Sequence, residues 1–290
     1  MKNKNFSKKP SKSEQIGNKD WWENNPMTYD WEGNRNVKEG TKEWYSQLDK
    51  EFWEISKEFA HPEYPNCAPF STLVNYKELK GKNVLEIGCG MGAHASVFAS
   101  SGANVTAIDL TQKAIDTTNL RINLFNIANA KAIQADAENL PFPDEHFDFV
   151  WSWGVIHHSS NTDIIVKEIH RVLKPGGSAK IMIYNKNSTR YYIHGLYQGI
   201  FKLKFFKYPS LYAVNMTFTD GYIARHYTHK TAKQLFKHFE KCKTSVMDSG
   251  APSVIFGWGR LSKWFPVIFS PINKFINRNW GWFLFIEVEK

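Results

Sequence analysis

At 290 residues, 42% of them hydrophobic, the chain is long enough to bury a proper core, as one large domain or two small ones. Its three cysteines, Cys67, Cys89 and Cys242, show no C-x-x-C pairing and no histidines at zinc spacing. That argues against a disulfide framework or a structural metal and fits a cytoplasmic protein with reduced thiols.

The formal charge of +9 is uneven: residues 1–20 carry six basic and two acidic groups, residues 21–184 carry 15 and 21, and residues 185–290 carry 16 and five. The basic last third suggests an anionic partner: a phosphorylated substrate, a lipid headgroup or nucleic acid. The plainer alternative is a solvated surface that keeps the protein soluble.

In chain order, residues 1–20 are polar and lysine-rich, without the apolar core of a signal peptide, and are expected to be a disordered basic tail. Residues 21–76 are rich in aromatics and charges. Within them Glu43–Phe59 has helical spacing, with Trp44, Leu48, Phe52 and Ile55 on one face, so a helical N-terminal cap is expected. Residues 83–184 then alternate between strand and helix. Strands are expected at Asn83–Ile87, Asn104–Asp109, Ala130–Asp136, His146–Trp153 and Ser178–Tyr184. Helices are expected at Ala93–Ser101, at Thr111–Asn126 with Thr111 as its N-cap, and at Asp163–Leu173, ending at Lys174-Pro175-Gly176-Gly177. Apolar strands separated by helices imply a parallel sheet with right-handed crossovers. The last third holds 23 of the 44 aromatic residues. Two late strands are expected there, Cys242–Asp248 and Trp282–Glu289, with lid-like insertions at about 185–235 and 251–281. No apolar run approaches the roughly 18 residues of a membrane span.

The strongest motif is Val84-Leu85-Glu86-Ile87-Gly88-Cys89-Gly90-Met91-Gly92, where a strand turns into a helix. Gly88 permits the tight turn and Gly90 a close approach to the backbone, while amides at the helix N-terminus favour an anion. The glycines alone also fit a dinucleotide enzyme, as Gly88-x-Gly90-x-x-Ala93. Asp109 closes the second strand, 21 residues after Gly88, where a carboxylate can accept from both hydroxyls of a ribose.

Glu86 with the glycines, Asp109, Asp136-Ala137, the run Phe147–His158 and Arg171–Gly177 together closely resemble the class I S-adenosylmethionine-dependent methyltransferases. The resemblance covers residues 83–184, about a third of the chain. It implies a Rossmann-like α/β fold with a seven-stranded, mostly parallel sheet, helices on both faces and the last strand antiparallel. The catalytic domain would occupy residues 77–290. It further implies S-adenosylmethionine as cofactor. Glu86 would hold its methionine end, directly or through water, Asp109 the ribose, Leu110 the adenine face and Asp136 the adenine amino group. Gly88, Cys89, Gly90, Gly92, Ala137 and Trp153 would complete the cofactor site.

Methyl transfer is an in-line displacement in which the protein supplies mainly alignment and electrostatics. The loop after the fourth strand would bring His157 and His158 near the chemistry. By resemblance His157 is the better candidate for base or hydrogen-bond acceptor. Read as ordinary structure, one histidine caps the next helix and the other packs. His94 is expected to pack under the cofactor. No Asn-Pro-Pro-Tyr, Asp-Pro-Pro-Tyr or Pro-Cys motif is present, which points away from nucleic-acid bases and towards small-molecule or lipid-like acceptors methylated on O, N or C. Tyr29, Arg225 and Tyr227, with His226 between the last two, are candidates for the acceptor pocket. The aromatic-basic stretches at 191–215 and 258–282 suit a lid, a peripheral membrane contact or single-stranded nucleic acid, with nucleic acid the least favoured. A rival reading is a cofactor-binding interaction protein without turnover, at a membrane or in a complex.

Overall fold

Successive residues of Asn83–Ile87 point to opposite faces of the sheet, which sets the two halves of the core. Val84 joins a cluster with Phe98, Val105, Phe149 and Trp151, while Leu85 and Ile87 join Ile108, Ile165, Ile169 and Ile181 on the other side. A strand buried on both faces needs helices above and below it, and this sheet has them. The computed structural model describes residues 12–28, 36–59, 69–248, 252, 254 and 257–290.

Two helices, α1 (Lys12–Asn24) and α2 (Lys42–Ser56), precede the sheet. Then follow β1 (Asn83–Ile87), α3 (Ala93–Ser100), β2 (Asn104–Asp109), α4 (Gln112–Leu124), β3 (Ala130–Gln134), β4 (Phe147–Trp153), α5 (Thr162–Val172) and β5 (Leu173–Asn185). The later part comprises α6 (Gly195–Ile200), α7 (Leu211–Asn215), β6 (His226–Tyr227), α8 (His229–Leu235), β7 (Lys241–Met247), α9 (Trp258–Trp264), α10 (Pro266–Trp280) and β8 (Phe283–Glu289). The strand order is β3-β2-β1-β4-β5-β8-β7. The first five strands run parallel, and β8 inserts antiparallel between β5 and β7. Thr111 caps α4, its hydroxyl accepting from the Ala114 amide. The expected mostly parallel sheet is present, with the two-residue β6 added beside β5 as an eighth strand.

Three expectations change. Residues 12–24 are helical rather than part of a disordered tail; residues 1–11 lie outside the described residues. Their sequence carries few apolar groups, so what holds this helix is contact with the cavity described below. The stretch 185–235 is not all lid, because α8 buries Ala232, with Phe236 just beyond it, in the core. The expected lid at 251–281 does not close the cavity: among the described residues, none of 258–280 lines it. In the N-terminal cap Trp44, Leu48 and Phe52 are buried as expected, while the side chain of Ile55 lies outside the described residues.

Candidate active site

Parallel strands release their carboxyl ends along one edge of the sheet, and the loops there enclose the cavity. It measures about 550 Å³, within the ordinary range for a small-molecule site. Its floor is the β1–α3 loop. Gly88 has φ +81°, and a Cβ there would lie 2.2 Å from the Val155 side chain. Gly90 has φ +52°, and a Cβ there would meet no atom within 4 Å, so the space beside it is open. The loop is pinned from below: the amides of Gly88 and Cys89 both donate to the carbonyl of Ile108, at 2.8 and 3.0 Å.

Asp109, at the end of β2, fastens the same loop from the side. One carboxylate oxygen accepts from the Gly90 amide (3.1 Å), and the other accepts from the Thr111 amide (3.0 Å) and hydroxyl (2.8 Å). Burial pushes its carboxyl above the usual range, against the pull of these bonds. Asp136, just past β3, accepts from the Glu138 amide at 2.9 Å and from the side-chain amide of Gln15 at 3.0 Å. Gly88, Cys89, Gly90, Asp109, Leu110, Asp136, Ala137 and Trp153 all line the cavity.

Two expected cofactor residues do not. Gly92 is the N-cap of α3, with the Thr118 side chain 3.0 Å from where its Cβ would be. Glu86 is buried, and its Oε2 has no partner among the described residues. Burial, and then the Asp109 charge, push the Glu86 carboxyl well up. His94 packs as expected, stacked on Phe70 at 4.9 Å and facing the cavity.

The far end of the cavity is aromatic with four charged or polar heads. Trp22, Phe218, Trp282 and Phe283 line it together with His158, Tyr184, Arg190 and Asp220. The Tyr184 hydroxyl donates to Asp220 at 2.7 Å, and burial, then the Asp220 charge, push that phenol well above its usual range. Arg190 lies over the Trp282 ring, 4.9 Å from its centre. Among the described residues no carboxylate comes within ion-pair reach of this guanidinium.

Of the two histidines, His158 lines the cavity and His157, the expected candidate, does not. His157 is fully buried and off the cavity wall, its ring centre 3.9 Å from that of Tyr184, and neither ring nitrogen has a hydrogen-bond partner among the described residues. Burial holds it well below its ordinary pKa, with smaller contributions from His158, His226 and Arg225. His158 lines the cavity instead. Its Nδ1 lies 2.6 Å from the Ile223 carbonyl, which can only accept, so Nδ1 bears the proton and Nε2 the lone pair. The short 3-10 turn Ile156–His158 decides which of the two faces inward.

The expected acceptor residues also shift. Arg225 gives its guanidinium to the carbonyls of Ser159 and Ser160, a tie between loops that leaves it off the wall. Tyr227 packs with the core cluster beside α8. Tyr29 lies outside the described residues. Sequence reasoning missed Tyr184, Arg190 and Asp220. Their only signal was position at the carboxyl end of the fifth strand, for Tyr184, or in the insertion that follows it, for Arg190 and Asp220.

Helix α1 forms the cavity's outer wall through Gln15, Asn18 and Trp22. Gln15 bridges two loops, donating to Asp136 and accepting from the Ser160 amide at 3.0 Å. At its other end the Glu23 carboxylate accepts from the first amides of α4, Gln112 at 3.0 Å and Lys113 at 2.9 Å. Trp22 packs edge-on against His158 at 5.1 Å.

A loop of glycines at a strand end, acids closing the next two strands and a closed aromatic cavity define a nucleoside-cofactor site on a doubly wound sheet. Comparison with known proteins specifies it further. A family described as a methyltransferase domain matches residues 85–181. The fatty-acid O-methyltransferase of Mycolicibacterium smegmatis is 38% identical over 116 residues, which is 39% of this chain and 40% of that protein. The ubiquinone biosynthesis O-methyltransferase of Neisseria meningitidis is 30% identical over 172 residues, 59% of this chain and 72% of that protein. This chain therefore spans less than half of the first relative and nearly three quarters of the second. Among solved structures, a chain of the complex between the Haloferax volcanii Trm112 methyltransferase activator and the putative methyltransferase aligns with a TM-score of 0.53 at 15% identity. The alignment covers 91% of this chain and 97% of that one, and it shows the shared fold.

The chain belongs to the class I S-adenosylmethionine-dependent methyltransferase family. The cavity fits that cofactor: it offers open space beside Gly90, carboxylates at the ends of β2 and β3, and an aromatic wall. Among the described residues no cluster of His, Cys, Asp or Glu is placed to hold a metal ion.

Proposed function

We propose that the protein transfers a methyl group to an oxygen of a small, lipid-like acceptor that carries an acidic group. When bound, S-adenosylmethionine supplies an electrophilic methyl group on a sulfonium centre. On the cofactor side, Asp109 accepts from the ribose hydroxyls, Leu110 and Ala137 flank the adenine and Asp136 accepts from its amino group, displacing Gln15 from that oxygen. The Gly88–Gly90 backbone lies against the cofactor's amino-acid end.

On the acceptor side, the observation that carries the reading is Arg190. A guanidinium with no carboxylate partner among the described residues, set in an aromatic cavity, is arranged to receive an anionic oxygen from a ligand. A carboxylate acceptor is already a nucleophile and needs no base. A phenol needs one, and His158, rather than the off-wall His157, is the residue whose lone-pair nitrogen serves. Support for an oxygen acceptor comes from the names of the relatives, a fatty-acid and a quinone-pathway O-methyltransferase. Acceptors of that kind reside in lipid, so we also read the protein as working in peripheral contact with a membrane.

The test is transfer of labelled methyl from S-adenosylmethionine to a long-chain fatty acid and to the corresponding fatty alcohol. The wild type should methylate the acid. Arg190→Met should raise KM for the acid by about 30-fold or more, a loss of about 2 kcal/mol from a charge-assisted pair, and leave S-adenosylhomocysteine binding intact. Equal use of acid and alcohol, or an unchanged KM in the variant, would remove the acidic acceptor.

A further inference from the structure

Apolar side chains exposed in the C-terminal third are not scattered. Phe201 is 72% exposed and Phe206 89%, both in the segment that follows α6. Trp264 is 74% exposed and Val267 88%, in the hairpin of α9 and α10, where Phe265, Ile268, Ile272 and Phe275 are exposed as well. An ordinary surface helix turns such residues inward; α10 instead rests its buried Asn277 against the protein and leaves its apolar row to solvent.

This is a built face rather than a frayed one. Trp258 of α9 donates its indole N–H to Asn273 of α10 at 2.9 Å and packs edge-on to Phe269 at 5.0 Å. The two arms meet in a groove of about 790 Å³, lined by Leu196, Ile200 and Phe201 on one side and Trp258 on the other. The charge pattern identifies the occupant. From residue 249 to 286 the sequence has four basic residues, Arg260, Lys263, Lys274 and Arg278, and no aspartate or glutamate; from 186 to 219 it again has no acid. A second copy would bring the same positive charge, whereas an anionic bilayer meets both the apolar row and the cations.

We propose that α9–α10, with the Phe201–Phe206 segment beside it, is a docking face for an anionic lipid bilayer. The apolar row enters the acyl boundary and the lysines and arginines lie at the headgroups. No described helix is long and apolar enough to cross a membrane, so this is attachment from one side. The proposal names the surface for the peripheral contact above and rests on that reading only for the choice of partner. It can fail separately from methyl transfer, because vesicle binding needs neither cofactor nor acceptor.

The experiment is sedimentation of the full chain with vesicles of phosphatidylcholine alone and of phosphatidylcholine mixed with phosphatidylglycerol. The protein should partition onto the anionic vesicles at least about tenfold better, and added salt should weaken the binding. The double variant Val267→Glu, Phe275→Glu should lose that binding while keeping the wild-type circular dichroism spectrum and S-adenosylhomocysteine affinity. A second variant, Lys263→Gln with Lys274→Gln, should reduce the preference for anionic lipid without touching the apolar row. Wild-type protein left in the supernatant would overturn the proposal, as would indifference to lipid charge or unchanged binding by the first variant. A dimer in solution that Val267→Glu breaks would assign the face to a second copy and overturn it equally.

Discussion

Desolvation lowers the pKa of three histidines near this site: His94 and His226 to about 3, and His157 well below its ordinary value. The sign of the effect on stability follows directly. Below about pH 6.5 the unfolded chain protonates these histidines while the folded chain does not, so stability falls as pH drops from there towards 3. The raised carboxyls of Glu86 and Asp109 act oppositely, losing stability as pH rises above the usual carboxyl range. Between about pH 7.5 and about pH 5.5 each of these histidines should therefore lower stability by roughly 1 kcal/mol while the two carboxyls act against it, so the gap seen by urea unfolding is their difference. His226→Phe should take one histidine's share out of that gap, and a gap unaffected by the substitution would remove His226 from the explanation.

At this same scale, the cofactor-facing residues were legible in the sequence because each sits at a fixed offset from the end of a strand. Gly88, Gly90 and Asp109 follow from the alternation of strand and helix, and Leu110, Asp136 and Trp153 from the family resemblance. Arg190, Tyr184 and Asp220 were not, since no spacing rule links the end of β5 to an insertion. Arg225 was a candidate by resemblance of its flanking sequence alone, and its guanidinium satisfies two loop carbonyls instead of facing the cavity.

Among the elements, α1 departs most from expectation, and the reason is energetic. Its sequence is poor in apolar groups, so in isolation it has little to offset ordering entropy. It is held instead by polar ties at both ends, Gln15 to Asp136 and Ser160, and Glu23 to the start of α4. Such ties between distant parts of a chain leave no periodic trace. They also make α1 a strap across the cofactor cavity that has to shift when ligand enters or leaves. Glu23→Ala, which removes the tie that the ligand leaves in place, should speed dissociation of S-adenosylhomocysteine by about tenfold, equivalent to losing about 1.4 kcal/mol of closure. Stopped-flow fluorescence would check this, with Trp22 on the cavity wall as a reporter. An unchanged off-rate would mean that α1 does not gate the site. Helices that cover the sheet, such as α4 with its Thr111 cap, carried their signals locally and were readable.

For the whole molecule, composition anticipated a division of labour that the fold makes spatial. The mildly acidic first two thirds build the parallel strands and the glycine-loop end of the cavity, and the basic last third supplies β7, β8, part of the aromatic far end and the exposed α9–α10 face. The parallel core was legible because buried parallel strands are nearly continuous apolar runs, whereas the antiparallel last strand was expected only from the family resemblance. That the second insertion faces outward was not, because a pattern of aromatics and lysines is the same whether a helix covers a cavity or a membrane. Only its packing distinguishes the two.

The central claim is that one cavity, floored by the Gly88–Gly90 loop and fastened by Asp109, holds S-adenosylmethionine. Isothermal titration with S-adenosylhomocysteine tests it most directly, on the wild type and on Asp109→Asn, which keeps the size of the side chain. The account predicts micromolar binding by the wild type, weakened by at least about 30-fold in the variant at unchanged fold, a loss of about 2 kcal/mol of hydrogen bonding to the ribose. Equal affinity in the two proteins would contradict it.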